Sequence, residues 1–287
     1  WFPPGFDNLE KILPHVKESY VVVNCDDDYE IPASLTKCAE FLENNPDYAS
    51  ASGYGVTFRL RDGGPYGEIA RLADYPMRSL EAETASQRMM DFMKNCFTIT
   101  FGVNRVDHMR KILVGPIPMI GTWNELSEIC YCAISGKSKL IDCLSLVRQI
   151  HDRQYYASTM VDWLTAENFY NSYVSFRELI ARKIADMDNI SLGQAELIVR
   201  DAFWEYLQIY MANSQRDQKK ENNPHKKTMI LKTLRFKTGL VFPILKTVYH
   251  RHFSGKKQMH FDVLQSGSKY YKDFKPVLDS LNGKDCV

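Results

Sequence analysis

Three consecutive aspartates, Asp26, Asp27 and Asp28, follow a largely apolar run from Tyr20 to Asn24, with only Cys25 between them. Adjacent carboxylates disfavour one another's ionised form, and a divalent cation relieves that repulsion. Oxygen ligands suit Mg²⁺ or Mn²⁺, and ligands collect at the carboxyl ends of strands in open α/β sheets. The run therefore predicts a metal site. The alternative is that these acids form a turn or cap the next helix.

Two further groups of residues could take part in chemistry. Glu125 and Glu128 stand three positions apart in a predicted helix and so share a face, although the helix dipole also favours acids in a first turn. His151 follows a predicted strand and could bind a metal ion or a phosphate. Arg148, just before it, could bind a phosphate or pair with an acidic residue. Each of these patterns is unspecific by itself.

The sequence excludes several known types of metal-binding and phosphate-binding site. An EF-hand loop needs glycine at its sixth position, where Ile31 stands when the count begins at Asp26, and no GxxxxGK[ST] motif is present. The DxDx[TV] form of metal-dependent phosphohydrolases fails because Glu30 stands where Thr or Val is needed. The seven cysteines include no CxxC pair, so they indicate reduced thiols rather than a zinc ribbon or a disulfide framework.

The 287 residues contain 45% hydrophobic and 25% charged residues, which is typical of a globular protein. The net charge of +1 hides an asymmetry, because residues 216–257 hold twelve lysines and arginines but only two acids. Within 228–257 the basic residues interleave with apolar ones, which favours either peripheral membrane contact or a helix face docked on the acidic remainder. No nucleic-acid-binding signature accompanies the charge, so we predict no nucleic-acid partner. There is no apolar run of about 20 residues and no signal peptide.

The elements that would position these residues alternate in the first half of the chain. Strands are predicted over 20–24, 48–60, 97–103 and 139–144, and helices from Pro32, over 79–95 and over 123–135. The second half predicts helices over 175–187, 191–211 and 228–253, with 213–227 as an exposed connector. Alternating strands and helices indicate an α/β core. We therefore divide the chain into an α/β part, 1–155, and a mainly helical part, 156–287, that carries the basic segment 216–257.

The order of these motifs resembles that of GT-A-fold glycosyltransferases, in particular family 2 and its bacterial relatives. The likeness is carried by the aspartate run before Pro32, by Glu125 eleven residues before Gly136, and by His151. A closer likeness is to a bacterial group of family-2-like glycosyltransferase domain proteins. It is carried by Gly102-Val103-Asn104-Arg105, Gly136-Lys137 and Val147-Arg148-Gln149-Ile150-His151. The resemblance covers about residues 21–151, and its motifs are short.

This resemblance implies a GT-A type mixed sheet flanked by helices, with a helical C-terminal extension. The 1–155 part would be a partial catalytic domain without the early nucleotide-binding strands, in keeping with a chain that starts at Trp1 and is expected to be N-terminally truncated. The implied activity is metal-dependent, inverting transfer of a sugar from a nucleotide-diphosphate donor to a glycan or lipid-linked acceptor. The implied setting is bacterial cell-surface polysaccharide or lipopolysaccharide biosynthesis. The location would be the cytoplasm, at the inner face of the plasma membrane if the basic segment binds lipid.

The resemblance also implies roles for single residues. Asp26, Asp28 and His151 would hold a Mn²⁺ or Mg²⁺ ion, while Asp26, Asp27 and Arg148 would contact the donor. Because many relatives carry another acid where Cys25 stands, the metal pair could instead be centred on Asp27.

Glu125 is the implied catalytic base. Asn124 replaces the first acid of the family's ED pair, so Glu128 is the alternative base. A different hypothesis is a non-catalytic GT-A-like module that binds sugar or nucleotide, or that scaffolds a larger enzyme.

Overall fold

Six strands form one curled mixed sheet flanked by helices in the computed structural model, which describes residues 11–62, 64, 66–95, 97–113, 122–151, 160–221 and 259–283. The strands are β1 (Tyr20–Val21), β2 (Asp28–Glu30), β3 (Tyr48–Leu60), β4 (Ile69–Tyr75), β5 (Val103–Arg105) and β6 (Lys137–Gln149). Their order is β1-β5-β3-β6-β2, and β4 pairs with the second half of β3. Only β3 and β6 run parallel among these described pairs. The predicted α/β class is thus confirmed.

The helices fall before, between and after these strands. They are α1 (Pro32–Asn44), α2 (Ala85–Asn95), α3 (Val106–Leu113), α4 (Thr122–Ser135), α5 (Met160–Leu164), α6 (Phe169–Asp188), α7 (Leu192–Glu221), α8 (Met259–Asp262) and α9 (Lys269–Leu281). A short 3₁₀ turn at Leu13–His15 precedes β1. Pro32 stands in the first turn of α1, where its missing N–H costs nothing. In the described residues no helix has the length and apolar character needed to cross a membrane.

The long central strands β3 and β6 approach each other closely at Gly53. The backbone N–H of Gly53 donates to Ser145 Oγ at 3.0 Å, and the register of the pair shifts between Ser52 and Tyr54. A Cβ atom at position 53 would lie 2.6 Å from the carbonyl oxygen of Cys143. Glycine is therefore required at this crossing.

Most helices bury their apolar faces in one large cluster around Trp123. The indole of Trp123 lies 4.7 Å from that of Trp163 and 5.2 Å from the ring of Phe176, measured between ring centroids, and it stacks on Phe203 at 5.5 Å. This cluster joins α2 and α4 to α6 and α7. Such aromatic contacts contribute beyond the area they bury.

A second cluster packs α8 and α9 against the sheet. Phe274 of α9 and Met259 of α8 are buried together with Phe58 of β3 and Val147 of β6. Helices from the 156–287 part therefore share hydrophobic clusters with both the sheet and the earlier helices. The division of the chain at residues 155 and 156 stays a prediction.

The strand predicted over 139–144 extends over Lys137–Gln149, and the helix predicted over 175–187 extends over Phe169–Asp188. Four other predicted elements also differ from those observed. The strand predicted over 97–103 is reduced to Val103–Arg105, because Phe97 and Ile99 are buried in the helical cluster instead of pairing in the sheet. The strand predicted over 20–24 is only Tyr20–Val21. The helix predicted from residue 79 begins at Ala85, since Leu80 forms a bridge with Ser138.

The fourth difference concerns the predicted connector 213–227, because α7 continues through its first part to Glu221. The remainder of that connector and the helix predicted over 228–253 lie outside the described residues.

Candidate functional site

Strands β2 and β6 bring the aspartate run next to Arg148. The antiparallel register pairs Asp28 with Arg148. The Nε atom of Arg148 lies 3.1 Å from Oδ1 and 3.0 Å from Oδ2 of Asp28. The Asp28 side chain is fully buried, whereas 16% of the Arg148 side chain is exposed. The carboxylate and the guanidinium therefore form a buried ion pair at one rim of the sheet.

Aromatic side chains surround the guanidinium of Arg148. Its Nη1 donates to the hydroxyl oxygen of Tyr75 at 2.8 Å, and that hydroxyl also lies 2.8 Å from Thr98 Oγ1. The guanidinium carbon stands 4.5 Å from the ring centroid of Phe101, a distance typical of a cation–π contact. These contacts hold Arg148 in one orientation.

Electrostatics at Asp28 follow from this burial. Burial raises the pKa of Asp28 above its ordinary value, and the positive charge and hydrogen bond of Arg148 act in the opposite direction. Burial also raises the pKa of the neighbouring Cys25 thiol, with Asp28 adding to the effect. Burial is thus the main influence on both groups, although Cys25 is only partly buried.

His151 lies beside Asp27, the second aspartate of the run. Its Nε2 atom is 3.2 Å from Asp27 Oδ2, and both side chains keep partial contact with solvent. The backbone N–H of Gln149 donates to the carbonyl oxygen of Asp27 at 3.4 Å, which ties the aspartate run to the end of β6. The predicted residues Asp27, Asp28, Arg148 and His151 therefore meet at one place.

The ligand atoms of Cys25, Asp27 and Asp28 lie within 4.8 Å of one another. Of the three predicted metal ligands, only Asp28 belongs to this group; His151 contacts Asp27 but stands outside the group, and Asp26 is exposed and stands outside it as well. Carboxylates suit a hard divalent cation, while a thiol and the nearby His151 imidazole suit a softer one such as Zn²⁺. The donor set therefore fits a divalent cation, which would share Asp28 with Arg148.

The two glutamates of α4 are not equally described. Glu125 belongs to the helix, but its side chain lies outside the described residues. Glu128 is buried with 6% of its surface exposed. Burial, with Glu128 adding to it, raises the pKa of Cys132 to about 12. The choice between Glu125 and Glu128 as base stays a prediction.

Sequence reasoning did not single out Tyr75, Thr98 or Phe101 as site residues. They come from β4 and from the segment between α2 and β5, and no motif or spacing marks them. Glu30 was not singled out either, although its position two residues after Asp28 in a strand puts both on one face. Both carboxylate oxygens of Glu30 are buried without a hydrogen-bond partner in the described part of the chain, and burial raises the pKa of Glu30 to about 8.

A scan of the sequence against protein-family models finds no match, and a search among curated proteins finds none either. The chemistry of the site and the motif order must therefore carry any functional assignment.

Proposed function

We propose that the chain is a metal-dependent glycosyltransferase that moves a sugar from a nucleotide-diphosphate donor to an acceptor hydroxyl, with inversion. The observation that carries the proposal is the convergence of Asp27, Asp28, Arg148 and His151 at one rim of the sheet. Carboxylates, a cation and an imidazole together suit a diphosphate with its counter-ion. The order of the same residues along the chain supports the same assignment.

The ion would be Mn²⁺ or Mg²⁺, held by Asp28 and His151 with Asp26 or Asp27 as the further carboxylate. When bound, it would neutralise charge on the diphosphate that leaves. Arg148 supplies a second positive charge, and its contacts with Tyr75 and Phe101 orient it before the donor arrives. A group oriented in advance binds with a smaller entropic cost.

Glu125 is the proposed base, with Glu128 as the alternative. The base accepts the proton of the acceptor hydroxyl while the oxygen forms a bond to the anomeric carbon. The bond from that carbon to the diphosphate breaks at the same time, and the nucleoside diphosphate leaves with the electron pair. A single displacement inverts the configuration at the anomeric carbon.

The biological setting rests on the family resemblance. The acceptor would be a glycan or a lipid-linked glycan in bacterial cell-surface polysaccharide or lipopolysaccharide assembly. The reaction would take place in the cytoplasm, and residues 228–257 would bring the enzyme to the inner face of the plasma membrane.

Calorimetric titration of UDP, GDP, CDP and dTDP in the presence of Mn²⁺ tests the proposal. We expect tight, metal-dependent binding of one nucleotide that is lost in Asp28→Asn. Asp26→Asn and Asp27→Asn form a matched pair, since loss in only one of them identifies the second carboxylate ligand. A folded chain, checked by circular dichroism, that binds none of the four nucleotides with or without metal would contradict the proposal.

The second candidate is a non-catalytic module that binds sugar or nucleotide. The ion pair between Asp28 and Arg148 favours it, because that pair already compensates one of the carboxylates without a metal. Glu125→Gln and Glu128→Gln separate the two candidates. Sugar transfer lost in one of these variants with nucleotide binding retained identifies the enzyme, whereas metal-independent binding without transfer in the unmodified chain identifies the module.

A further inference from the structure

The outer face of α7 carries an apolar stripe at seven-residue spacing. Leu197, Trp204 and Met211 are exposed to 51%, 62% and 48% of their surfaces. Seven residues make nearly two turns of an α-helix, so the three side chains lie along one line. The opposite face of α7, with Ala195, Val199, Ala202 and Phe203, is buried in the cluster around Trp123. The stripe therefore points away from the protein's own core.

Exposed apolar side chains are concentrated on this helix in the part of the chain that the structure describes. Five of the large ones belong to α7, namely Leu192, Leu197, Trp204, Tyr210 and Met211. A groove of about 350 Å³ lies beside the stripe and is lined by Tyr173, Phe203, Trp204 and Leu207 among others. Only Leu197, Trp204 and Met211 of these five form the stripe, and Arg200 and Asp201 also line the groove. A line of exposed apolar side chains beside an apolar groove marks an interaction site more often than scattered single residues do.

Two charged residues flank the stripe and indicate what covers it. With 100° per residue, Arg200 lies about 60° to one side of Leu197 and Asp201 about 40° to the other side. The two side chains pair with each other in the single chain, where Arg200 Nη2 lies 2.8 Å from Asp201 Oδ1. Both are more than half exposed, so this pair contributes little and can exchange partners at small cost.

We propose that two copies of this chain associate through a parallel, in-register pair of α7 helices. A two-fold axis parallel to the helices places Leu197, Trp204 and Met211 against the same residues of the second copy. On each side of this seam, Arg200 of one copy then faces Asp201 of the other. An antiparallel pair centred between these residues would instead place Arg200 against Arg200 and Asp201 against Asp201. Charge complementarity therefore favours the parallel arrangement over this antiparallel register.

The size of the surface sets the expected affinity. The described side chains of α7 from Leu192 to Ala212 span about 30 Å, and a single helix pair of this length lies at the small end of specific interfaces. We expect a reversible dimer with a dissociation constant on the order of micromolar to tens of micromolar. This inference does not depend on the proposed enzymatic activity.

Sedimentation equilibrium of the complete 287-residue chain, over concentrations on both sides of the micromolar range, tests the dimer. Arg200→Asp and Asp201→Arg each create like-charge pairs across the seam and should weaken the dimer by about tenfold or more. The double variant Arg200→Asp with Asp201→Arg restores opposite charges and should recover it. Trp204→Glu should abolish it. Leu264→Glu, at a side chain that is 51% exposed elsewhere on the surface, is the matched control and should have no effect.

Orientation is tested by Leu197→Cys, since the parallel seam brings the two copies of position 197 together. Oxidation should cross-link this variant into a covalent dimer on a denaturing gel far more than the unmodified chain, whose own free Cys25 gives the background. A folded chain that is monomeric at every concentration would overturn the proposal, and so would a dimer that Trp204→Glu leaves intact. If the chain stays monomeric but binds anionic vesicles through Trp204, the occupant is a lipid surface and the proposal is wrong.

Discussion

The guanidinium of Arg148 lies 3.0 Å from the buried carboxylate of Asp28, although 120 residues separate the two in the chain. The pair links the short strand β2 to the end of β6 and stands beside Asp27 and His151. The same pair therefore contributes to the stability of this edge of the sheet and forms part of the candidate site.

Removing one partner of this pair should be strongly destabilising. Arg148→Met leaves the Asp28 carboxylate buried without a compensating charge, and we expect the free energy of unfolding to fall by about 3–5 kcal/mol. Urea unfolding followed by circular dichroism measures the change. The double variant Arg148→Met with Asp28→Leu removes both charges and should regain most of the loss. A single-variant cost below about 1 kcal/mol would show that the pair behaves like an exposed one.

Cys25 should decide which metal the site prefers. A thiolate favours Zn²⁺ or Co²⁺, and a carboxylate favours Mg²⁺. Cys25→Ser should therefore weaken Zn²⁺ binding by about tenfold or more while leaving Mg²⁺ binding nearly unchanged. Cys25→Asp should shift the preference toward Mg²⁺. Calorimetric titration of each metal into the chain provides the measurement. Equal Zn²⁺ affinity in the unmodified chain and in Cys25→Ser would exclude the thiol as a ligand.

Asp188 should make stability depend on pH at the acidic end. Its side chain accepts hydrogen bonds from the backbone N–H groups of Ala85 and Ser86 at 2.7 and 2.8 Å, and so ties the end of α6 to the start of α2. Although burial opposes the charged form, hydrogen bonds from Ser86 and Ala85 and the charge of Arg88 hold the pKa of Asp188 below its ordinary value.

A lowered pKa in the folded state means that the unfolded chain binds the proton more readily. The stabilisation by Asp188 is therefore fully present above the ordinary Asp pKa of about 4 and is lost as the pH falls through the lower folded value. Asp188→Ala should cost about 1 kcal/mol at neutral pH and much less in strong acid. Urea unfolding across that pH range tests this, and Asp186→Ala, exposed on the same helix, is the control. A cost that does not change with pH would contradict the assigned cause.

Gly53 should tolerate no side chain. Gly53→Ala would place a Cβ atom 2.6 Å from a backbone oxygen of β6, which cannot move without disturbing the pairing of β3 and β6. We expect destabilisation by about 1–3 kcal/mol. Gly193→Ala is the matched control, because no atom lies within 4 Å of its Cβ position in α7 and alanine favours the helix. In thermal unfolding, only Gly53→Ala should have a lower melting temperature than the unmodified chain. Equal melting temperatures for the two variants would contradict the close approach of β3 and β6 at Gly53.

Local patterns predicted several elements well. The strand over 48–60 matches β3, and Pro32 begins α1 as expected. Both are bounded by residues that end regular structure, namely Asn45-Pro46 after α1 and the sequence Arg61-Asp62-Gly63-Gly64-Pro65 after β3. The helix predicted over 123–135 agrees with α4 to within one residue. In these segments local preference and tertiary packing favour the same conformation.

Local patterns failed where packing decides the outcome. Phe97 and Ile99 lie in an alternating, β-branched run that predicts a strand, yet both are buried against helices. The polar residues before Glu221 predict a connector, but α7 extends through them. A short apolar run indicates burial. It does not distinguish a segment whose backbone pairs in the sheet from one whose side chains pack against helices.

The sequence by itself determined the α/β class. The aspartate run was predicted directly after a strand, but β1 ends at Val21, Asp26 and Asp27 form a turn, and Asp28 begins β2. Arg148 was predicted after a strand and lies within β6. Only the tertiary structure decided which of these residues meet. The antiparallel register of β2 and β6 pairs Asp28 with Arg148 and brings His151 to Asp27, while Asp26 faces solvent. Because side chains alternate between the two faces of a strand, a shift of one residue would exchange these partners, and the spacing of Asp28 and Arg148 along the chain does not specify that register.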